Sequence, residues 1–149
     1  MFSILICVAH SSIPAASLAD EIDPLAWAQR CISASEDQLD WVSANQNCIA
    51  VITSYCEFAM DRHTCFSNLT TGFSNQSLII MDRLPESLGV SSPQKQIYEK
   101  RLELLNKTSV SDRCGTPDAG TKCAALVSFG RYLGALSLVD WVKKAEESQ

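Results

Sequence analysis

The chain has 149 residues, 46% hydrophobic and 19% charged, with a net charge of −5. That length supports one domain with a sizeable core and is short for two, and three Trp, five Phe and three Tyr argue against intrinsic disorder. Twelve Lys and Arg against 17 Asp and Glu, with no basic block, disfavour a nucleic-acid partner.

Residues 1–19 contain no Lys, Arg, Asp or Glu. An apolar run from Phe2 to Ala9 passes into small residues, and Ser17-Leu18-Ala19 fits a signal-peptidase site before Asp20, although the usual Lys or Arg near the start is missing. A run of eight residues falls short of the roughly 20 that span a bilayer, so no permanent membrane span is expected. The expectation is a cleaved signal peptide over 1–19, a single mature domain over 20–149, and a periplasmic or secreted protein.

The mature part reads as helices. Asp23-Pro24 is a cap followed by Pro in the first turn, and Leu25, Ala28, Cys31 and Ile32 then share one face. A second helix starts at Ser35-Glu36-Asp37, with Leu39, Val42, Ile49, Ile52 and Cys56 as its stripe; Asn45-Gln46-Asn47 is a place where it would break in two. The apolar run Ile49–Ile52 fits strand or helix. Asp61-Arg62-His63 opens a third helix bearing Cys65, Leu69, Phe73, Ile80 and Leu84, and Pro85 lies at or past its end.

Gly89, Ser91, Ser92 and Pro93 mark a linker near 86–93 between two halves of the domain. A fourth helix follows from Pro93 to about Thr108, with Ile97, Leu104 and Leu105 expected inward and Lys95, Glu99, Lys100 and Glu103 outward; Lys95, Glu99, Glu103 and Lys107 sit at four-residue spacings that suit a solvated face. The last runs from about Thr121 to Glu146 through Leu126, Phe129, Leu133, Leu136 and Trp141. The fold class expected is all-α: a small disulfide-stabilised bundle of about five short helices packed as hairpins.

Cleavage after Ala19 removes Cys7 and leaves Cys31, Cys48, Cys56, Cys65, Cys114 and Cys123, an even set with fifteen pairings open to it. Successive spacings of 17, 8, 9, 49 and 9 residues contain no tight zinc knuckle and no C-x-x-C. Structural disulfides are the plain reading. Local pairing is expected, Cys31–Cys48, Cys56–Cys65 and Cys114–Cys123; Gly115, Pro117, Asp118 and Gly120 favour a reversal between the last two. The first four lie in one cluster, and there the partners are open to exchange.

Chemistry-bearing motifs are sparse. His63 is the sole mature histidine, and beside Cys65 it reads as a turn or cap residue rather than a general base. No G-x-S-x-G elbow, phosphate loop or dinucleotide fingerprint occurs, so no catalytic residue, metal ligand or cofactor is assigned. Asn68, Asn75 and Asn106 head Asn-x-Ser/Thr triplets that a eukaryotic secretory route would glycosylate. Asn68 and Asn75 lie seven apart on one helix face close to core positions, which favours coincidence.

Cys48-Ile-Ala-Val-Ile-Thr-Ser-Tyr-Cys56, followed nine residues on by Cys65-Phe66, resembles the cysteine stretch of bacterial periplasmic proteins in the LprI-like lysozyme-inhibitor family. Cys31-Ile32 is similar to that family's earlier Cys-Leu, Gln94 or Gln96 with Tyr98 to its Gln and aromatic, and Cys114 and Cys123 with Arg131 to its closing Cys and Cys…Arg helix. The likeness covers about residues 27–140. Where relatives carry Arg-Glu and then Trp-Asp after the position of Cys65, this chain has Asn68-Leu69 and Phe73-Ser74.

The resemblance implies an envelope protein that binds and inhibits a lysozyme-type muramidase, a basic partner toward which an acidic chain would be steered. Contacts are expected from a disulfide-held loop, with Asp118, the lone acid between Cys114 and Cys123, as binding residue. Two alternatives stand beside it: a periplasmic structural or interaction protein with another protein partner, and a small secreted hydrolase.

Overall fold

A computed structural model of the chain describes residues 22–35, 41–89, 93–115 and 121–147; the expected signal peptide and Asp118 lie outside them. Among the described residues there are six helices and no strand: α1 (Pro24–Ser33), α2 (Trp41–Phe58), α3 (Arg62–Met81), α4 (Pro93–Lys107), α5 (Val110–Cys114) and α6 (Lys122–Glu147). The chain is all-α, with one more helix than expected. The addition, α5, is a single turn capped by Ser109, whose hydroxyl accepts from the Asp112 N–H at 3.2 Å. Five residues are too few to show a period.

The caps follow from the residues at the starts. The Asp23 carboxylate accepts from the N–H groups of Leu25 at 3.0 Å and Ala26 at 3.2 Å, with Pro24 at the first helical position. Asp61 does the same for α3, accepting from the Thr64 N–H at 2.9 Å. Helix α2 runs unbroken through Asn45-Gln46-Asn47, where a break had been expected as an alternative. Asn45 is buried, and its Oδ1 accepts from the Ser35 hydroxyl at 2.9 Å, so its amide braces the α1–α2 connection rather than ending the helix. The Ile49–Ile52 run is helical, with Ile49 and Ile52 inward and Val51 outward.

The axis of the molecule is the pair α3 and α6, which make the most extensive helix–helix contact. Phe73 meets Phe129 edge-on at 5.3 Å and Tyr132 at 5.5 Å, and the Ser74 and Ser128 hydroxyls share a hydrogen bond of 3.0 Å. Since Lys122 also pairs with Glu57 just before α3, the two helices run in the same direction. A glycine in each receives a leucine from a flanking helix. A methyl on Gly72 would stand 2.2 Å from Leu25 of α1, and one on Gly134 would stand 2.7 Å from Leu105 of α4. With Arg101 of α4 over Trp141, 5.0 Å from its ring centre, α4 is antiparallel to α6.

Two apolar clusters result. The larger joins α1, α2, α3 and the first half of α6 around Ile32, Ile52, Phe66, Leu69, Phe73 and Phe129. The smaller collects Leu88, Tyr98 and Leu138, with Leu102, Leu105, Trp141 and Val142 around them. The stretch expected as a linker is tied down where described: Leu88 is buried, Ser87 donates to Glu99 at 2.5 Å, and the Tyr98 hydroxyl donates to the Pro85 carbonyl at 2.6 Å. Helix α6 alone among the described helices is long and apolar enough to cross a membrane, yet Ala124, Ala125, Phe129, Ala135 and Leu138 on it are buried against the other helices. Arg131 stands on that same ridge, its Nε buried without a hydrogen-bond partner among the described residues.

Cys31, Cys48, Cys56, Cys65, Cys114 and Cys123 pair as Cys31–Cys48, Cys56–Cys65 and Cys114–Cys123, with Cα separations of 5.8, 5.4 and 5.9 Å. The local pairing expected for all three is the observed one. Short connections between consecutive helices bring neighbours in sequence to the Cα distance a disulfide needs.

Candidate functional site

The two most exposed large apolar side chains among the described residues, Phe58 and Met60, lie at one end of the α3–α6 pair. Leu78 and Ile79 of α3 also face solvent, as do Ile97 and Leu104 of α4, which the helical period had placed inward but which none of the described helices covers. Helix α2 is apolar on two sides. Ile49, Ile52 and Cys56 form the buried stripe, while Val51, Tyr55 and Phe58 form a second at i, i+4 and i+7 that faces solvent. Phe58 is 87% exposed and Met60, in the turn that follows, is fully exposed. Contiguous exposed apolar patches, unlike single exposed side chains, mark interaction surfaces. The turn carrying them is held at its base by Cys56–Cys65 and at its exit by the Asp61 cap on α3, so the stripe and tip are presented by a fixed backbone.

Charged groups ring the tip. Lys122 donates to Glu57 at 2.6 Å and holds that carboxyl below the usual glutamate range. The Thr64 N–H keeps the Asp61 carboxyl below its usual range. Arg62 lies over the Phe66 ring at 5.9 Å from its centre. Between the starts of α3 and α6, Arg62, His63, Thr121 and Lys122 line an open cleft of about 330 Å³. Lys122 faces the Glu57 carboxylate and Asp61 stands beside Arg62 in sequence, so the rim is mixed in sign.

His63 takes the exposed place at the start of α3 expected of it, as a lining residue of this cleft. The expected binding residue Asp118 lies outside the described residues, but its bracketing cysteine Cys123 follows Lys122 and so belongs to the same end of the molecule. No group of three or more His, Cys, Asp or Glu among the described residues is placed to hold a metal ion. Asn68, Asn75 and Asn106 are all exposed, whereas the Thr70 and Ser77 hydroxyls are buried and donate to carbonyls of their own helix, Phe66 at 2.8 Å and Phe73 at 2.7 Å. The Val51-Tyr55-Phe58 stripe escaped the sequence reading, which assigned α2 one apolar face. The signal was present as two interleaved helical stripes on one segment.

Compared with protein-family models, with curated proteins and with solved structures, the chain matches none.

Proposed function

We propose that this chain is an exported, disulfide-bonded binding protein of the bacterial envelope, acting through a protein contact rather than catalysis. The observation that carries this reading is the Val51-Tyr55-Phe58 stripe with Met60, an unpartnered apolar face on a disulfide-clamped hairpin. Anchors at i, i+4 and i+7 on one helix suit insertion into an apolar groove of another protein. Because the backbone is already ordered, little entropy is lost on docking. Three disulfides suit an oxidising compartment.

A lysozyme-type muramidase is the partner this reading names. Its support is the cysteine pattern and the acidic charge that steers toward a basic protein. The test is inhibition of purified lysozyme, for the protein and for a Phe58→Ser, Met60→Ser double variant. The expected result is inhibition that weakens as salt rises, and a loss of at least about tenfold in the variant with its helix content unchanged. Unchanged muramidase activity at micromolar protein and low salt overturns the partner. Equal inhibition by the variant overturns the surface.

A further inference from the structure

The three disulfides differ in what surrounds them. Cys56 and Cys65 are both buried, and Cys31–Cys48 has Cys48 buried in the middle of α2. Cys123 is exposed and Cys114 half-buried, making this the one bridge without a buried sulfur residue. The two ends of the bridge also differ in backbone setting. Cys114 is the last residue of α5, while Cys123 is the second residue of the 26-residue α6, just after the Thr121 cap that accepts from the Ala124 N–H at 3.1 Å.

We propose that Cys114–Cys123 is a thiol-exchange site, opened by attack of an external dithiol on the Cys114 sulfur while the other two bridges stay closed. The attacking thiolate forms a bond to Cys114 Sγ as the Sγ–Sγ bond breaks, and the electron pair leaves on Cys123 Sγ. That leaving group sits in the first turn of a long helix, where backbone N–H groups and the helix dipole stabilise a thiolate, and a better leaving thiolate speeds exchange. The second thiol of the attacking reagent then displaces Cys114 as thiolate, and both protein sulfurs take protons from water. The protein bridge gains two electrons and the dithiol becomes a cyclic disulfide.

The other bridges resist for a physical reason. Opening Cys31–Cys48 from its open side would expel a thiolate at Cys48, inside the apolar cluster, where the charged form is disfavoured. Both sulfurs of Cys56–Cys65 lie in that cluster. Opening Cys114–Cys123 leaves the cluster whole, because α5 has no buried residue. The product is a protein with its core intact and α5 freed from the start of α6. This inference stands independently of the muramidase reading.

The experiment treats the oxidised protein with dithiothreitol over time, quenches with an alkylating agent, and maps modified cysteines by peptide mass. Expected are labels on Cys114 and Cys123 appearing at least about ten times faster than on the other four, with helix content by circular dichroism retained at that stage. Comparable or earlier labelling of Cys31, Cys48, Cys56 or Cys65 overturns the proposal. A second arm uses the monothiol glutathione with an early acid quench. The adduct is expected on Cys114 with Cys123 free; an adduct mainly on Cys123 overturns the direction of attack.

Discussion

At one end of the α3–α6 pair a cluster of Phe66, Leu69, Phe73 and Phe129 is crossed by two disulfides, and α1 and α2 wrap it. At the other end Leu88, Tyr98 and Leu138 form a small cluster that no disulfide crosses, under a single helix, α4. Both ends use the same device to bring a flanking helix close, a leucine seated on a glycine. They differ in how much is buried and in whether covalent bonds assist. The cross-linked end is also where Val51, Tyr55, Phe58 and Met60 face solvent.

The largest effect should separate the two clusters directly. Phe73→Ala removes a fully buried ring in contact with Phe129 and Tyr132 and is expected to cost about 4 kcal/mol; Leu138→Ala in the smaller cluster is expected to cost about 3 kcal/mol. Urea unfolding at neutral pH measures both. A larger loss at Leu138 would reverse the ranking of the ends.

Next comes the covalent contribution. Removing Cys31–Cys48 by a double Ser substitution releases a bridge of sequence separation 17 and should cost about 3 kcal/mol, chiefly through the unfolded state. Hydrogen exchange should then accelerate in α1 and α2 while the α4 amides keep their protection. Equal acceleration in α4 would show that the ends are one cooperative unit.

The glycine seats sharpen the comparison further. Alanine favours a helix over glycine by about 1 kcal/mol, but at Gly72 the new methyl meets three Leu25 side-chain atoms within 3.0 Å, and at Gly134 one Leu105 atom below that distance. Gly72→Ala is expected to be destabilising by about 1–2 kcal/mol and Gly134→Ala close to neutral. Thermal melts of the two variants decide it; a more damaging Gly134→Ala would mean that α4 is the more rigidly seated helix.

The smallest effect is one of pH. The Asp61 carboxyl sits below its ordinary value of 3.8 because its charged form accepts the Thr64 N–H. A carboxyl depressed by folding contributes stability that is fully present above its ordinary value and fades as pH falls through the lower folded one. Asp61→Asn keeps a capping side chain but removes this titration. Its unfolding midpoint should therefore fall less steeply below pH 4 than that of the unaltered protein, and identical acid slopes would remove Asp61 from the account.

Sequence by itself determined a great deal here. Helix starts at Asp23 and Asp61, most of the helical stripes, and the turn between Cys114 and Cys123 are legible because capping and hairpin disulfides are made between residues near in sequence, whereas the partners of Cys31, Cys48, Cys56 and Cys65 stay open to exchange until the structure pairs them. The α5 turn escaped, being one turn long, and Asn45 looked like a helix breaker because its partner Ser35 is ten residues away. Only the tertiary structure decided that α3 and α6 run parallel as the central pair, that Gly72 and Gly134 are seats for leucines, and that one of the two apolar stripes of α2 is left open. Periodicity shows that a face is apolar, but whether a neighbour covers it depends on how many helices reach that side, and α2 has too few neighbours to cover both.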